Sequence, residues 1–327
     1  MVMRTHCGVC VFYGPAVRLY SFPGGHPLNS ERVKTFWSLL TQQQEFLQGR
    51  IQRCEPVMAD EEDILSFHSS EYVSFVKAAS ALGHGFLDAG DTPAFKGVFE
   101  ASSYVVGSTV QALDQIMKGS FQHAFNPAGG LHHARREAAG GFCVFNDAAV
   151  AIEIAKRRHG ITRLAYVDID AHHGDGIYYE FEDDPSVFIA DVHEDGRHLY
   201  PGTGHDYERG KGSAEGTKLN IPLQPKSGDA EFSAAFRKVQ DFITASNPEL
   251  IILQCGADGL DGDPLTHLRY SVASHRQATG WLHEFSHHAC QGRILVLGGG
   301  GYNVQNTALA WVEVVKALLE RRTQETF

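Results

Sequence analysis

The chain has 327 residues, 43% of them apolar and 20% charged, the proportions of a soluble globular protein and far from the disordered, collagenous and membrane classes. Its formal net charge of −11, without any clustered run of Lys and Arg, argues against a nucleic-acid partner, because neutralising phosphates needs such clusters. A cationic partner suits the balance better, although excess carboxylates also serve simply to keep a protein in solution.

Residues 1–13 carry one Arg and an apolar stretch interrupted by His6, Cys7 and Gly8, which does not fit a signal peptide. No stretch is long enough to cross a bilayer. A cytoplasmic location is expected, nuclear in a eukaryote, and the six cysteines are expected to be reduced thiols. Cys7-x-x-Cys10 lies in an apolar, strand-like run with no second such pair, so it reads as buried structural thiols.

Further along, short β-branched and apolar runs at 121–125, 163–169, 186–192, 250–254 and 293–297 predict strands. Helical spacing predicts helices over 147–159, 229–246, 272–290 and 305–320, with Asn146 or Asp147 as cap of the first. With no linker or repeat, the chain reads as one α/β domain over 1–327. Alternating strands and helices need crossover connections, hence a mainly parallel sheet with helices on both faces. Ligands of such sheets gather beyond the carboxyl ends of the strands. The unusual polar clusters fall there: His132-His133, Asp168 to Asp175, Asp258 and Tyr302.

In Asp168-Ile169-Asp170-Ala171-His172-His173-Gly174-Asp175 a strand ends with Asp168 and Asp170 on one face and His172 beside them. A carboxylate and an imidazole suit Zn²⁺, and a catalytic zinc keeps three protein ligands and one open position. Asp258, after its own apolar strand, is the expected third ligand to Asp170 and His172. Taken singly, each acid is more often a cap or a solvated loop residue. Fe²⁺ is an alternative metal, since donor chemistry alone does not choose between them.

His132 and His133 follow a run of small residues that lets the backbone approach the site. A neutral imidazole can take a proton from an activated water and an imidazolium can return one to a leaving amine, while Asp168 and Asp175 can orient the two rings. The four glycines 298–301 lack the spacing and Lys of a phosphate loop. Their expected role is to turn the chain so that the Tyr302 hydroxyl donates to a developing oxyanion.

These motifs, with Pro127 to Ala134, Gly140-Gly141-Phe142-Cys143, Tyr200-Pro201-Gly202-Thr203-Gly204, Gly256-Ala257-Asp258 and Gly298 to Asn303, closely resemble the histone deacetylase superfamily of arginase-like fold. The resemblance runs through nearly the whole chain and is nearest to class I enzymes and their bacterial homologues. It implies hydrolysis of an acyl-lysine amide, and the same zinc, imidazole and tyrosine roles.

The resemblance also implies parts that spacing alone does not. Phe142 and Tyr200 match the walls of an acyl-lysine tunnel, with Gly141 and Leu265 beside them; Asp91 matches a rim residue that holds the substrate backbone; Arg32 matches a buried arginine near the acetate exit. Without the family, these read as core packing, a turn residue and a surface helix residue. A K⁺ or Na⁺ site is implied at Asp168, Asp170, His172, Asp191 and Val192. Asp191 replaces a usual serine, which adds negative charge, and Tyr200 replaces a frequent Phe. The expected substrate is an acyl-lysine protein or peptide, with a small acetylated amine or non-catalytic acyl-lysine binding as alternatives.

Overall fold

The computed structural model describes residues 6–43 and 49–320. Among them eight strands form one sheet: β1 (His6–Phe12), β2 (Ile51–Cys54), β3 (Phe121–Asn126), β4 (Leu164–Asp168), β5 (Val187–Glu194), β6 (Lys218–Leu223), β7 (Leu250–Gln254) and β8 (Ile294–Leu297). Their order is β2-β1-β3-β8-β7-β4-β5-β6, and every neighbouring pair is parallel. Central strands β4, β7 and β8 are buried at every residue, which requires cover on both faces and explains their continuous apolar runs.

The predicted helices form as α5 (Asp147–His159), α7 (Asp229–Ser246), α8 (Val272–Ala289) and α9 (Val304–Leu318), counting in chain order after α1 (Glu31–Thr41), α2 (Glu61–Ile64), α3 (Ser70–Leu82) and α4 (Val98–Met117), with α6 at Asp175–Phe181. Asn146 is the cap of α5, its side chain accepting from the Ala149 amide, and Gly160 ends that helix in the left-handed conformation. Asp147 has other work, described below.

Two edge strands escape the sequence pattern. β6 interrupts its apolar residues with Lys218, Asn220 and Pro222, and a proline is tolerated there because the strand lies at the sheet's edge. β2 has only four residues. Its position beside β1 corrects the cysteine expectation: Cys10 and Cys54 are joined in a disulfide, Cα to Cα 6.1 Å apart, because parallel pairing brings two chain segments 44 residues apart side by side. Cys143, Cys255 and Cys290 are buried thiols, and the side chain of Cys7 lies outside the described residues. No described helix is long and apolar enough to cross a membrane.

Candidate active site

Strands β3, β8, β7 and β4 are consecutive neighbours, so their carboxyl-terminal loops meet at one place. Backbone pairing runs on past the strands. Ile169 donates to Gln254, Cys255 to Leu297, Gly298 to Asn126 and Gly299 to Gly129, at 2.8–3.1 Å, and these bonds hold the loops in register. Gly130, at φ +87°, lies so close to the Gly299 amide that a Cβ would stand 2.7 Å from its nitrogen.

Asp170, His172 and Asp258 come together as expected, fully buried or nearly so, with one donor atom of each within 4.8 Å of the others. His172 Nδ1 stands 2.9 Å from Asp258 Oδ2 and 3.2 Å from Asp170 Oδ1. Donors around a tetrahedral zinc with bonds of about 2.0–2.1 Å would lie about 3.3 Å apart. Burial alone would lower the His172 pKa, but the Asp258 charge and hydrogen bonds to both carboxylates raise it to about 10. Two carboxylates closing on one imidazole nitrogen make a place for a cation, and the donor set fits a divalent metal.

The carboxylates are held from behind. The Gly300 amide and the Gln254 amide group both donate to Asp170 Oδ2 at 2.8 Å, and the Ala171 amide donates to Asp258 Oδ1 at 2.8 Å. Gln254 was a legible signal, since a polar residue closes an otherwise apolar strand four positions before Asp258. Its importance shows only when β7 lies between β8 and β4.

His132 and His133 bring their Nε2 atoms to 3.0 Å, while His132 Nδ1 meets Asp168 Oδ2 at 2.8 Å and His133 Nδ1 meets Asp175 Oδ1 at 2.7 Å. Burial lowers both rings. In His132 the charges of Asp168 and Asp170 outweigh it and raise the pKa to about 9. In His133 the neighbouring His132 charge adds to burial and the pKa falls to about 4. Sequence reasoning did not single out Tyr166 and Arg135, which donate to Asp168 Oδ2 at 2.7 Å and Asp175 Oδ2 at 3.0 Å. Asp147, read as a possible cap, instead accepts from the Gly130 and Leu131 amides and from Thr109, fixing the turn before the histidines.

Tyr302 packs its ring at 6.5 Å from His172 and 5.8 Å from Phe142, and burial holds its hydroxyl protonated, well above its ordinary pKa. Asp263, which the sequence pattern did not mark, accepts from the backbone amides of Tyr302 and Leu265 at 2.7 and 2.9 Å and so joins the glycine turn to the loop that carries Leu265. Arg32 is buried, not on the surface. Its Nη1 donates to the carbonyls of Gly299 and Gly301 at 3.0 Å each, beneath the loop that carries Tyr302.

Tyr200 lies 5.1 Å from His133 between ring centres and is 46% exposed, whereas Phe142 is turned by a positive φ of 67° toward Tyr302. Gly141 must be a glycine: at φ +52°, its Cβ would stand 2.4 Å from His133 Cδ2. Asp91 is exposed in a turn whose amides bond to Asp88, and Thr92 of the same turn accepts from the Phe142 amide at 3.1 Å. Partial desolvation within the turn and the Asp88 contact raise Asp91 to about 6.

Asp191 pairs with Asp168 across β5 and β4, and Val192 follows it in the core. The added charge of Asp191 is not left alone, because its Oδ1 meets His193 Nδ1 at 2.6 Å and its Oδ2 accepts from the Gly174 amide. His173 stays outside the metal cluster, bonded to Thr203 Oγ1 at 2.8 Å.

Residues 26–318 match the model of the histone deacetylase domain. The chain is 39% identical over 311 residues to the acetoin utilization protein AcuC of Bacillus subtilis (strain 168), covering 92% of this chain and 80% of that protein. It is 34% identical over 315 residues to histone deacetylase 6 of Arabidopsis thaliana, covering 93% of this chain but 64% of that longer protein. The crystal structure of the HDA15 HD domain superposes with a TM-score of 0.87 at 29% identity, over 95% of this chain and 88% of that one. The chain therefore belongs to the histone deacetylase family and is a hydrolase of the deacetylase type.

Proposed function

We propose that the protein hydrolyses the Nε-acyl amide of lysine in a protein or peptide, with zinc held by Asp170, His172 and Asp258. The observation that carries this reading is the meeting of three donor residues with a facing histidine pair and Tyr302 beyond four neighbouring strands. Zinc bound there supplies Lewis acidity to the scissile carbonyl and to the attacking water.

His133, held neutral by burial and by the charge on His132, receives the proton of the water at Nε2 and returns it to the leaving lysine amine. Asp175 fixes the tautomer of His133 from the other ring nitrogen, and Asp168 keeps His132 protonated beside it. Tyr302, a neutral phenol, donates its hydroxyl hydrogen to the oxyanion formed at the carbonyl. Phe142, Tyr200 and Gly141 line the path of the acyl-lysine chain, with Leu265 at its rim and Asp91 accepting from the substrate backbone. Arg32 holds the floor near the acetate exit.

A K⁺ or Na⁺ ion belongs with Asp168, Asp170, His172, Asp191 and Val192, supported by the buried pairing of Asp168 with Asp191. Comparing turnover in potassium, sodium and choline chloride tests it; equal rates in all three would remove the ion from the account.

Acetate release from an acetyl-lysine peptide by zinc-loaded protein, with acetylspermidine as competitor, tests the substrate class. Leu265 offers no carboxylate to a second amine, which favours the peptide. Preference for the polyamine would overturn the peptide assignment and leave the chemistry standing.

A further inference from the structure

Among the described residues, a second group of three side chains brings its donor atoms within 4.8 Å of one another: His123, His283 and His287. None of them belongs to the site above. His123 is the third residue of β3, so Asn126, at the strand's active-site end, is about 10 Å further along at ~3.3 Å per residue. His283 and His287 are four apart on α8 and therefore share one face of that helix.

The three imidazoles pack mutually edge to face, with ring centres 4.8 Å apart for His123 and His283, 5.1 Å for His123 and His287, and 4.8 Å for His283 and His287. The Nε2 atoms of His283 and His287 approach to 3.1 Å. His123 is 4% exposed and its Nδ1 is buried without a hydrogen-bond partner, an expensive state for a polar atom unless something binds its lone pair.

Gly292 makes the arrangement possible. At φ +80° it lies against the His287 ring, and a Cβ there would stand 2.7 Å from both Cε1 and Nδ1. The turn is fixed by the Gly292 amide donating to the Ser286 carbonyl at 2.8 Å. His287 is only partly buried, which leaves an approach from solvent.

We propose that His123, His283 and His287 bind a first-row divalent transition ion of the Zn²⁺ or Co²⁺ type, at a second metal site separate from the catalytic one. Three neutral nitrogen donors with an open fourth position suit such ions, and exclude Ca²⁺ and Mg²⁺, which require oxygen ligands. Bound there, the ion ties α8 to β3.

The full chain, stripped of metal, is loaded with Co²⁺, freed of excess ion and analysed for metal content. The wild type is expected to retain two ions per chain, a D170A/D258A variant one, and H287Q in that background is expected to bind it at least tenfold more weakly. Circular dichroism confirms that each variant is folded; should D170A/D258A fail that check, the wild-type stoichiometry decides between two ions and one. A wild type holding one ion, a folded D170A/D258A protein holding none, or a remaining ion indifferent to H287Q overturns the proposal. Because these readouts do not use turnover, the second site stands or falls apart from the catalytic reading.

Discussion

His132 and His133 are adjacent in sequence, yet each turns Nδ1 to a different carboxylate, Asp168 and Asp175, and they face each other through Nε2 at 3.0 Å. Oppositely shifted affinities keep His132 charged and His133 neutral within a single dipeptide.

The pH profile follows from that separation. His133 is a competent base above about 4, and His132 keeps its proton below about 9, so kcat/KM is expected to form a plateau between these limits. Asp168 is the largest influence raising His132. Asp168→Asn should move the alkaline limb down by roughly 1 pH unit or more, read from kcat/KM against pH. An unmoved limb would detach His132 from that ionisation.

Tyr302→Phe removes the hydroxyl and little else. A loss of about 10²- to 10³-fold in kcat with little change in KM is expected. Zinc content should stay at the wild-type value. A fall in KM affinity without loss of kcat would place Tyr302 in substrate binding alone.

Zinc must displace the proton that Asp258 and Asp170 stabilise on His172. With His172 raised to about 10, the metal-free site is protonated at neutral pH, and binding releases that proton. Affinity is therefore expected to rise roughly tenfold per pH unit as pH increases toward the His172 pKa. Titration calorimetry in buffers of different ionisation enthalpy measures the release; a pH-independent affinity would contradict the ligand assignment.

Gly300→Ala tests the loop without altering a ligand. A Cβ there would lie 2.3 Å from Asp258 Oδ2 and 2.9 Å from Asp170 Oδ2, in the space the donors occupy. We expect weaker zinc binding and a loss of turnover of at least about tenfold, or ~1.4 kcal/mol, in a folded protein. Full activity with unchanged metal content would show that the loop yields.

Arg32→Met leaves the carbonyls of Gly299 and Gly301 without their buried donor. Hydrogen bonds from charged groups contribute about 1.5–3 kcal/mol each, and part of that returns through water, so a destabilisation of about 2–4 kcal/mol is expected in denaturant unfolding. A change below 0.5 kcal/mol, the size of an ordinary surface substitution (about ±0.5), would mean the loop does not depend on Arg32.

Local chemistry made much of this protein legible in its sequence. Strand β7 and helices α5 and α7 fall at their predicted bounds because a fully buried strand needs an unbroken apolar run, and a capped helix shows its cap and its period within a few residues. Asp168, Asp170, His172 and Asp175 announce themselves for the same reason, being the proposed ligands and orienters packed into one short segment. Tertiary structure alone decided what lies next to what. The placing of β8 and β7 between β3 and β4 brings His132, Tyr302, Asp258 and Asp170 together; the pairing of β1 with β2 joins Cys10 to Cys54; and the packing of α8 sets two histidines against His123, 160 and 164 residues further along the chain. Periodicity records only which face of an element is buried; which neighbour covers it depends on contacts between distant segments, and these leave no local pattern to read.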